Sequence, residues 1–201
     1  MRHYVTILFA LLLLAACNTN DRWSRRESEL INGARYSRMT VLSVDNTADS
    51  LLLRQKSTPL THSALREPEF GRLVASMIES VNDPANEGVG IAAPQVGISR
   101  RVVVVQRLDK AGEPFEVYVN PQITDYGDEQ RVGSEGCLSV PNRRGEVRRA
   151  NRITLLYNDA ITFEPRREEI EGFVAVIFQH EVDHLDGILY TDRAESITHE
   201  Q

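Results

Sequence analysis

Cysteine is scarce, with two residues in 201, Cys17 and Cys137. At most one disulfide can form, and pairing is the ordinary reading in an exported chain. The two stand in such different contexts that each is assigned a separate job. Histidine is nearly as scarce, with five. His3 belongs to the N-terminal leader, His62 falls outside every motif and His199 lies near the end, so His180 and His184 have no second histidine cluster to help them. Basic charge is not in excess: 23 Lys and Arg stand against 29 Asp and Glu, a net charge of -6. This gives no support to a nucleic-acid partner. No internal repeat or low-complexity segment is present. What remains, 41% hydrophobic and 26% charged, suits one globular domain with a real core and something added at the front.

Arg2 and His3 precede an apolar run from Tyr4 to Leu14, followed by Ala15, Ala16 and Cys17. The run is too short to span a bilayer as a mature helix but fits the apolar region of a secretory signal. Leu-Ala-Ala-Cys resembles the bacterial lipobox, which implies lipidation at Cys17 and a signal over residues 1–17. An uncleaved anchor is the other reading and also implies a membrane. Residues 18–38 are polar and arginine-bearing and read as a tether, with Trp23 and Tyr36 within it for lipid headgroups. A start at Met1 gives a membrane-anchored lipoprotein facing outside the cytoplasm, whereas a start at Met39 gives a cytoplasmic protein. The assembled signal favours export.

The globular part opens at Met39 with a short apolar stretch, a candidate strand, and residues 51–60 read as a turn-rich connector. Phe70, Leu73, Val74, Met77, Ile78 and Val81 have helical spacing, predicting a helix over 69–81 that Asn82-Asp83-Pro84 ends. Residues 101–106 read as a buried strand, 115–120 as another ending before Pro121, and 152–157 as a third. A strand over 166–171 leads to a long helix that starts at Gly172 behind acidic residues and stops at Gly187. Strands first and one decisive late helix predict an α+β domain.

That helix carries Gln179-His180-Glu181-Val182-Asp183-His184. Residues four apart share a helix face, the spacing at which two imidazoles can hold one metal ion. Glu181 beside them is placed to take a proton from a water that the metal activates. Phe173, Val176 and Ile177 continue the stripe on the N-terminal side, predicting an inward-facing apolar face. Two incidental histidines on a charged helix are the bland alternative, but imidazoles at a core edge need partners. A third protein ligand is missing. The pattern continues to Gly187 and Tyr190, where a metzincin peptidase would have histidine instead of Tyr190, which disfavours a zinc endopeptidase. Cys137 is the better candidate, since a thiolate binds zinc or ferrous iron strongly and Gly136 permits close backbone approach.

Residues 88–93 imitate a dinucleotide fingerprint, but they follow a helix and a polar loop rather than a strand, so that reading is discarded. Gly90 and Ile91 instead offer backbone to an extended peptide, and Gln95 offers an amide donor for a developing oxyanion. Three motifs, Gly-Val-Gly-Ile-Ala-Ala-Pro-Gln (88–95), Glu-Gly-Cys-Leu-Ser (135–139) and Gln-His-Glu-Val-Asp-His-Leu (179–185), in this order resemble the signatures of peptide deformylase. The resemblance covers residues 39–195 and implies antiparallel sheets around a central metal-binding helix. It implies an enzyme that removes the formyl group from formylmethionyl peptides, using one divalent metal, with ferrous iron favoured and zinc or nickel acceptable. Carried over, Cys137, His180 and His184 are the ligands and Glu181 the general base. Gln95 and the Leu138 backbone N–H receive the oxyanion, and Gly90 and Ile91 align the peptide. Arg144 lies beside the substrate, Phe173, Val176 and Ile177 line the methionine pocket, and Glu135 and Asp183 orient ligands. The competing reading is a lipoprotein that binds formyl peptides or holds a structural metal without turnover; Glu181, which a binder does not need, separates the two. Oligomeric state is not legible.

Overall fold

The computed structural model describes residues 22–34, 37–84 and 88–200. Its helices are α1 (Arg25–Ala34), α2 (Thr47–Leu53), α3 (His62–Leu65), α4 (Pro68–Val81) and α5 (Gly172–Leu185). Its strands are β1 (Gly90–Ala92), β2 (Val102–Gln106), β3 (Phe115–Tyr126), β4 (Gln130–Cys137), β5 (Val140–Ala150), β6 (Arg152–Asn158), β7 (Pro165–Glu171) and β8 (Ala194–His199). All strand pairs within the two sheets are antiparallel. One sheet runs β1-β2-β3-β6-β7 and the other β4-β5-β8.

The four valines of β2 explain the layering. Successive side chains on a strand point to opposite faces. Val102 and Val104 accordingly join α1, α3 and α4 in one core cluster, while Val103 and Val105 join α5 in another. The larger sheet is thus covered on both faces, which is why its interior strand β2 carries four valines in a row. The three-stranded sheet borders α5 elsewhere. Gln179 in mid-helix accepts from the Ala150 N–H at 3.0 Å and donates to the Ala150 carbonyl at 2.8 Å, pairing with β5 as a strand would.

Several expectations need correction. The tether reading of residues 18–38 fails over the described part, because α1 packs on the domain. Ile31 is fully buried, and Trp23 is buried with its indole N–H donating to the Ala64 carbonyl at 3.0 Å. Buried Arg100 pairs with Glu27 at 2.7 Å and lies over the Trp23 ring. Trp23 is therefore in the core instead of facing lipid; Tyr36, Cys17 and the signal lie outside the described residues. Residues 39–44 form no strand, yet the Leu42 N–H donates to the Gln95 carbonyl and the Val44 N–H to the Ser139 carbonyl. α2 occupies the start of the connector. β3 does not stop before Pro121 but runs through it, because a register shift between Val119 and Gln122 removes the need for a ladder donor there. Glu171 precedes α5 without a side-chain cap, and the first turn holds no acidic residue. Beyond residue 195, β8 continues the domain.

Gly187 ends the helix region as expected, for two reasons. Its φ is +73°, and a Cβ there would collide with the Arg54 carbonyl.

Candidate active site

α5 brings His180, Glu181 and His184 to one place, and the β4–β5 hairpin turns back through Leu138 and Ser139 to bring Cys137 against them. The Cys137 Sγ lies 3.2 Å from the His184 Nε2. Donor atoms of Cys137, His180 and His184 all lie within 4.8 Å of one another. One soft sulfur and two imidazole nitrogens this close form a donor set for a divalent metal such as zinc or ferrous iron. Buried polar atoms elsewhere in the site also lack protein partners, namely the Glu181 Oε2 and the His184 Nδ1. The residues present therefore fit a metal.

The surroundings orient these groups. His180 Nδ1 pairs with the Glu135 Oε2 at 2.8 Å, which turns the other ring nitrogen toward the thiol. Burial alone would push the Glu135 carboxyl up, but His180 and Arg149 outweigh it and hold the group down to about 2. Burial depresses His180 as well, yet Cys137 and Glu135 lift it well above the ordinary imidazole value. His184, one turn on, has no carboxylate partner, so burial and the neighbouring His180 and Arg149 charges drive it well below that value. The Asp183 carboxylate is held by arginines and not by either histidine. It accepts from Arg149 at 2.6 Å and from Arg193 at 2.6 and 2.7 Å, so it acts through Arg149, which grips Glu135 with its other nitrogens.

From the larger sheet come Gly90 and Gln95. A Cβ at Gly90 would stand 2.6 Å from the Glu181 Oε1 and 2.9 Å from the Ile177 Cγ2, so only glycine leaves room for the carboxylate. The Gln95 Oε1 accepts from the Ala92 N–H at 2.8 Å, which aims its NH₂ at the Ser139 Oγ, 3.3 Å away, and the Cys137 Sγ, 3.6 Å away. Burial pushes the Glu181 carboxyl up to about 7, against the pull of the His180 charge. A carboxyl poised there can accept and release a proton near neutral pH.

A cavity of about 370 Å³ opens over these groups, lined by Gly90, Gln95, Glu135, Cys137, Leu138, Arg144, Phe173, Val176, Ile177, His180 and Glu181. His184 is buried behind it, and Ile91 points into the core, leaving only its backbone for a ligand. Phe173 departs from the inward stripe, being 51% exposed at the cavity mouth because it stands in the first turn of α5. Sequence reasoning passed over Arg149, Arg193 and Glu200. It also treated Tyr190 only as a missing histidine. Tyr190 is buried, stacks on His180 with ring centres 6.1 Å apart, and donates to the Arg143 carbonyl at 2.9 Å.

The family model described as polypeptide deformylase matches residues 40–200. The chain belongs to the polypeptide deformylase family. It is 36% identical to the peptide deformylase of Roseiflexus sp. (strain RS-1), over 79% of this chain and 89% of that one. With the peptide deformylase of Natranaerobius thermophilus the identity is 39%, over 77% and 94%. The class I type b peptide deformylase of Acinetobacter baumannii, solved with Met-Ala-Ser bound, superposes with a TM-score of 0.68 at 35% identity, covering 79% of this chain and 99% of that one. The peptide deformylase of Thermotoga maritima also gives 0.68, at 34% identity and the same coverage. Deformylase function and an α+β deformylase fold, both implied by the three motifs, thus agree with the relatives.

Proposed function

We propose that the site hydrolyses the N-terminal formyl amide of peptides beginning with formylmethionine, with Cys137, His180 and His184 holding one metal ion, ferrous iron in the cell. The carrying observation is Glu181, a buried carboxyl with an unpartnered oxygen beside the three donor atoms and a proton affinity near neutrality. When bound, a divalent metal supplies Lewis acidity, which makes both the formyl carbonyl and a water easier to activate.

The chain's own groups do the rest. β1 is an edge strand of its sheet, so the backbone at Gly90 and Ile91 can pair with an extended peptide. The methionine side chain enters between Val176, Ile177 and Phe173. Glu181 takes the proton of the attacking water and later gives it to the departing amine. The Gln95 NH₂ and the Leu138 N–H stabilise the oxyanion, whose charge grows only as the tetrahedral centre forms. Water is added across the C–N bond, releasing formate and a free amino terminus. The test is formate release by ferrous-loaded protein from formyl-Met-Ala-Ser, compared with Glu181→Gln. The variant should keep about one metal per chain and lose at least ~10²-fold in turnover; wild-type turnover in it would remove Glu181 as the base, and no formate from the wild-type protein would leave the binding-protein reading.

We further propose that the enzyme is an exported lipoprotein, anchored through acyl chains on Cys17. Support comes from the signal-like stretch ending in Leu-Ala-Ala-Cys and from α1, since a start at Met39 would remove Trp23 and Ile31 from the core and Glu27 from Arg100. No helix among the described residues is long and apolar enough to cross a membrane. Fractionation of producing cells should find the full-length chain in membranes and Cys17→Ala outside them. A soluble protein beginning at Met39 would end this reading and leave the deformylase one standing.

A further inference from the structure

Arg144 and Glu200 stand together on one wall of the cavity. The Arg144 Nε donates to the Glu200 Oε1 at 2.8 Å, and the two side chains are 52% and 57% exposed. Backbone bonds fix this meeting. β8 pairs with β5 so that Arg144 faces Thr198, and the Glu200 N–H donates to the Asn142 carbonyl at 3.0 Å. Arg144 lies over the backbone beside the metal-binding thiol, since a Cβ added at Gly136 would be 3.7 Å from the guanidinium carbon. Apart from Glu181, which belongs to the reacting centre, the charged wall residues Arg143 and Glu135 are engaged elsewhere, Arg143 by Asp45 at 2.6 Å and Glu135 by Arg149 and His180. A peptide leaving the reacting centre past Gly136 therefore meets one cation that already carries its own carboxylate.

We propose that Glu200 is a specificity-determining residue that disfavours acidic side chains downstream of the substrate's methionine. This rests on the deformylase reading. A peptide carboxylate would have to displace Glu200 from Arg144 and then face its repulsion, whereas an ammonium or neutral group meets a satisfied pair. A half-exposed ion pair is weak, so the selection is graded, not absolute.

The test uses ferrous-loaded full-length protein with formyl-Met-Ala-Glu, formyl-Met-Ala-Gln and formyl-Met-Ala-Lys. Wild type should show the highest KM for the glutamyl peptide. Glu200→Gln should lower that KM by about 2- to 5-fold and raise that of the lysyl peptide, the scale of one exposed charge pair. Calorimetric binding of Met-Ala-Glu and Met-Ala-Lys should move in the same directions. Glu195→Gln is the control, because Glu195 on β8 pairs with Arg148 on β5 at 2.9 Å, outside the cavity. It should leave the glutamyl-to-lysyl ratio unchanged. An unmoved ratio in Glu200→Gln, or an equal shift in Glu195→Gln, overturns the inference. Absence of formate from every peptide would instead sink the deformylase reading, and the binding ratio would still decide the role of Glu200.

Discussion

The two sheets hold the same helix by opposite means. Around the five-stranded sheet the burial is apolar, with Val102 to Val105, Ile153, Leu155 and Phe178 almost wholly enclosed. The three-stranded sheet buries charge, with the Arg149 side chain only 4% exposed between Glu135 and Asp183. Apolar burial is non-directional and tolerates small shifts. A buried ion network costs desolvation and returns it only when every partner is in place. The larger sheet accordingly supplies bulk cohesion and a backbone edge, and the smaller one fixes the angle of an imidazole. The division is not complete, because buried arginines also flank the larger sheet, with Arg101 pairing to Asp186 at the end of α5. Arg107 pairs with Asp109, Glu168 and Tyr118 behind Phe178, far along the chain from any proposed ligand.

The sharpest break in the comparison would come at Cys137, on the smaller sheet. Cys137→Ala should abolish metal retention after dialysis and with it nearly all turnover, since the thiolate supplies charge and softness together. Metal analysis equal to wild type would remove Cys137 from the ligand set. His62→Ala, where the ring merely stacks on Phe163, should retain its metal.

Next come paired lesions in the two sheets. Arg149→Ala removes the cation shared by two buried carboxylates, leaving Glu135 with His180 and Asp183 with Arg193, and should cost about 3–5 kcal/mol. Leu155→Ala should cost a similar ~2–5 kcal/mol by opening a cavity. Urea unfolding of the metal-free proteins measures both, and metal affinity separates them. Only Arg149→Ala should weaken metal binding markedly, because only it frees Glu135 to turn away from His180. Equal metal affinity in the two variants would dissolve the distinction.

Gln95→Leu probes what the larger sheet gives the chemistry. It should cut kcat by roughly 10²-fold with a smaller change in KM, as expected of a donor that matters in the transition state. A KM effect with kcat intact would make Gln95 a binding residue.

The smallest effect concerns acid. Arg107, through its hydrogen bond, holds the Asp109 carboxyl below its ordinary 3.8. For Glu116, burial works upward but Lys110 and Tyr118 prevail, leaving it below 4.5. Groups depressed on folding add stability that is complete above their unfolded values and lost as pH falls through the folded ones. The urea midpoint should therefore decline below about pH 4.5, and less steeply in Asp109→Asn/Glu116→Gln. Identical slopes would mean this cluster does not set acid stability.

Legibility followed the same divide. The valine strand, the α4 stripe and the histidine helix announced themselves because apolar burial leaves a period in the residues. β5 did not, although Gly145, Val147 and Arg149 are buried at every second position, because an arginine in that series reads as solvated until its partners are known. α1 hid likewise: Trp23, Glu27 and Ile31 fall at four-residue spacing, but the middle one is an acid whose partner, Arg100, lies far along the chain.

By itself the sequence determined the three motifs, the donor types at Cys137, His180 and His184, and the carboxylate at Glu181 beside them, because each depends on residue identity and local spacing. Only the tertiary structure decided that Gly90 must be empty to admit Glu181, that Arg149 couples Asp183 to Glu135, and that Glu200 meets Arg144. Those are contacts between residues 14 to 91 positions apart. No local pattern encodes them, since a charged or small side chain looks the same in a chain whether it ends in water or against its partner.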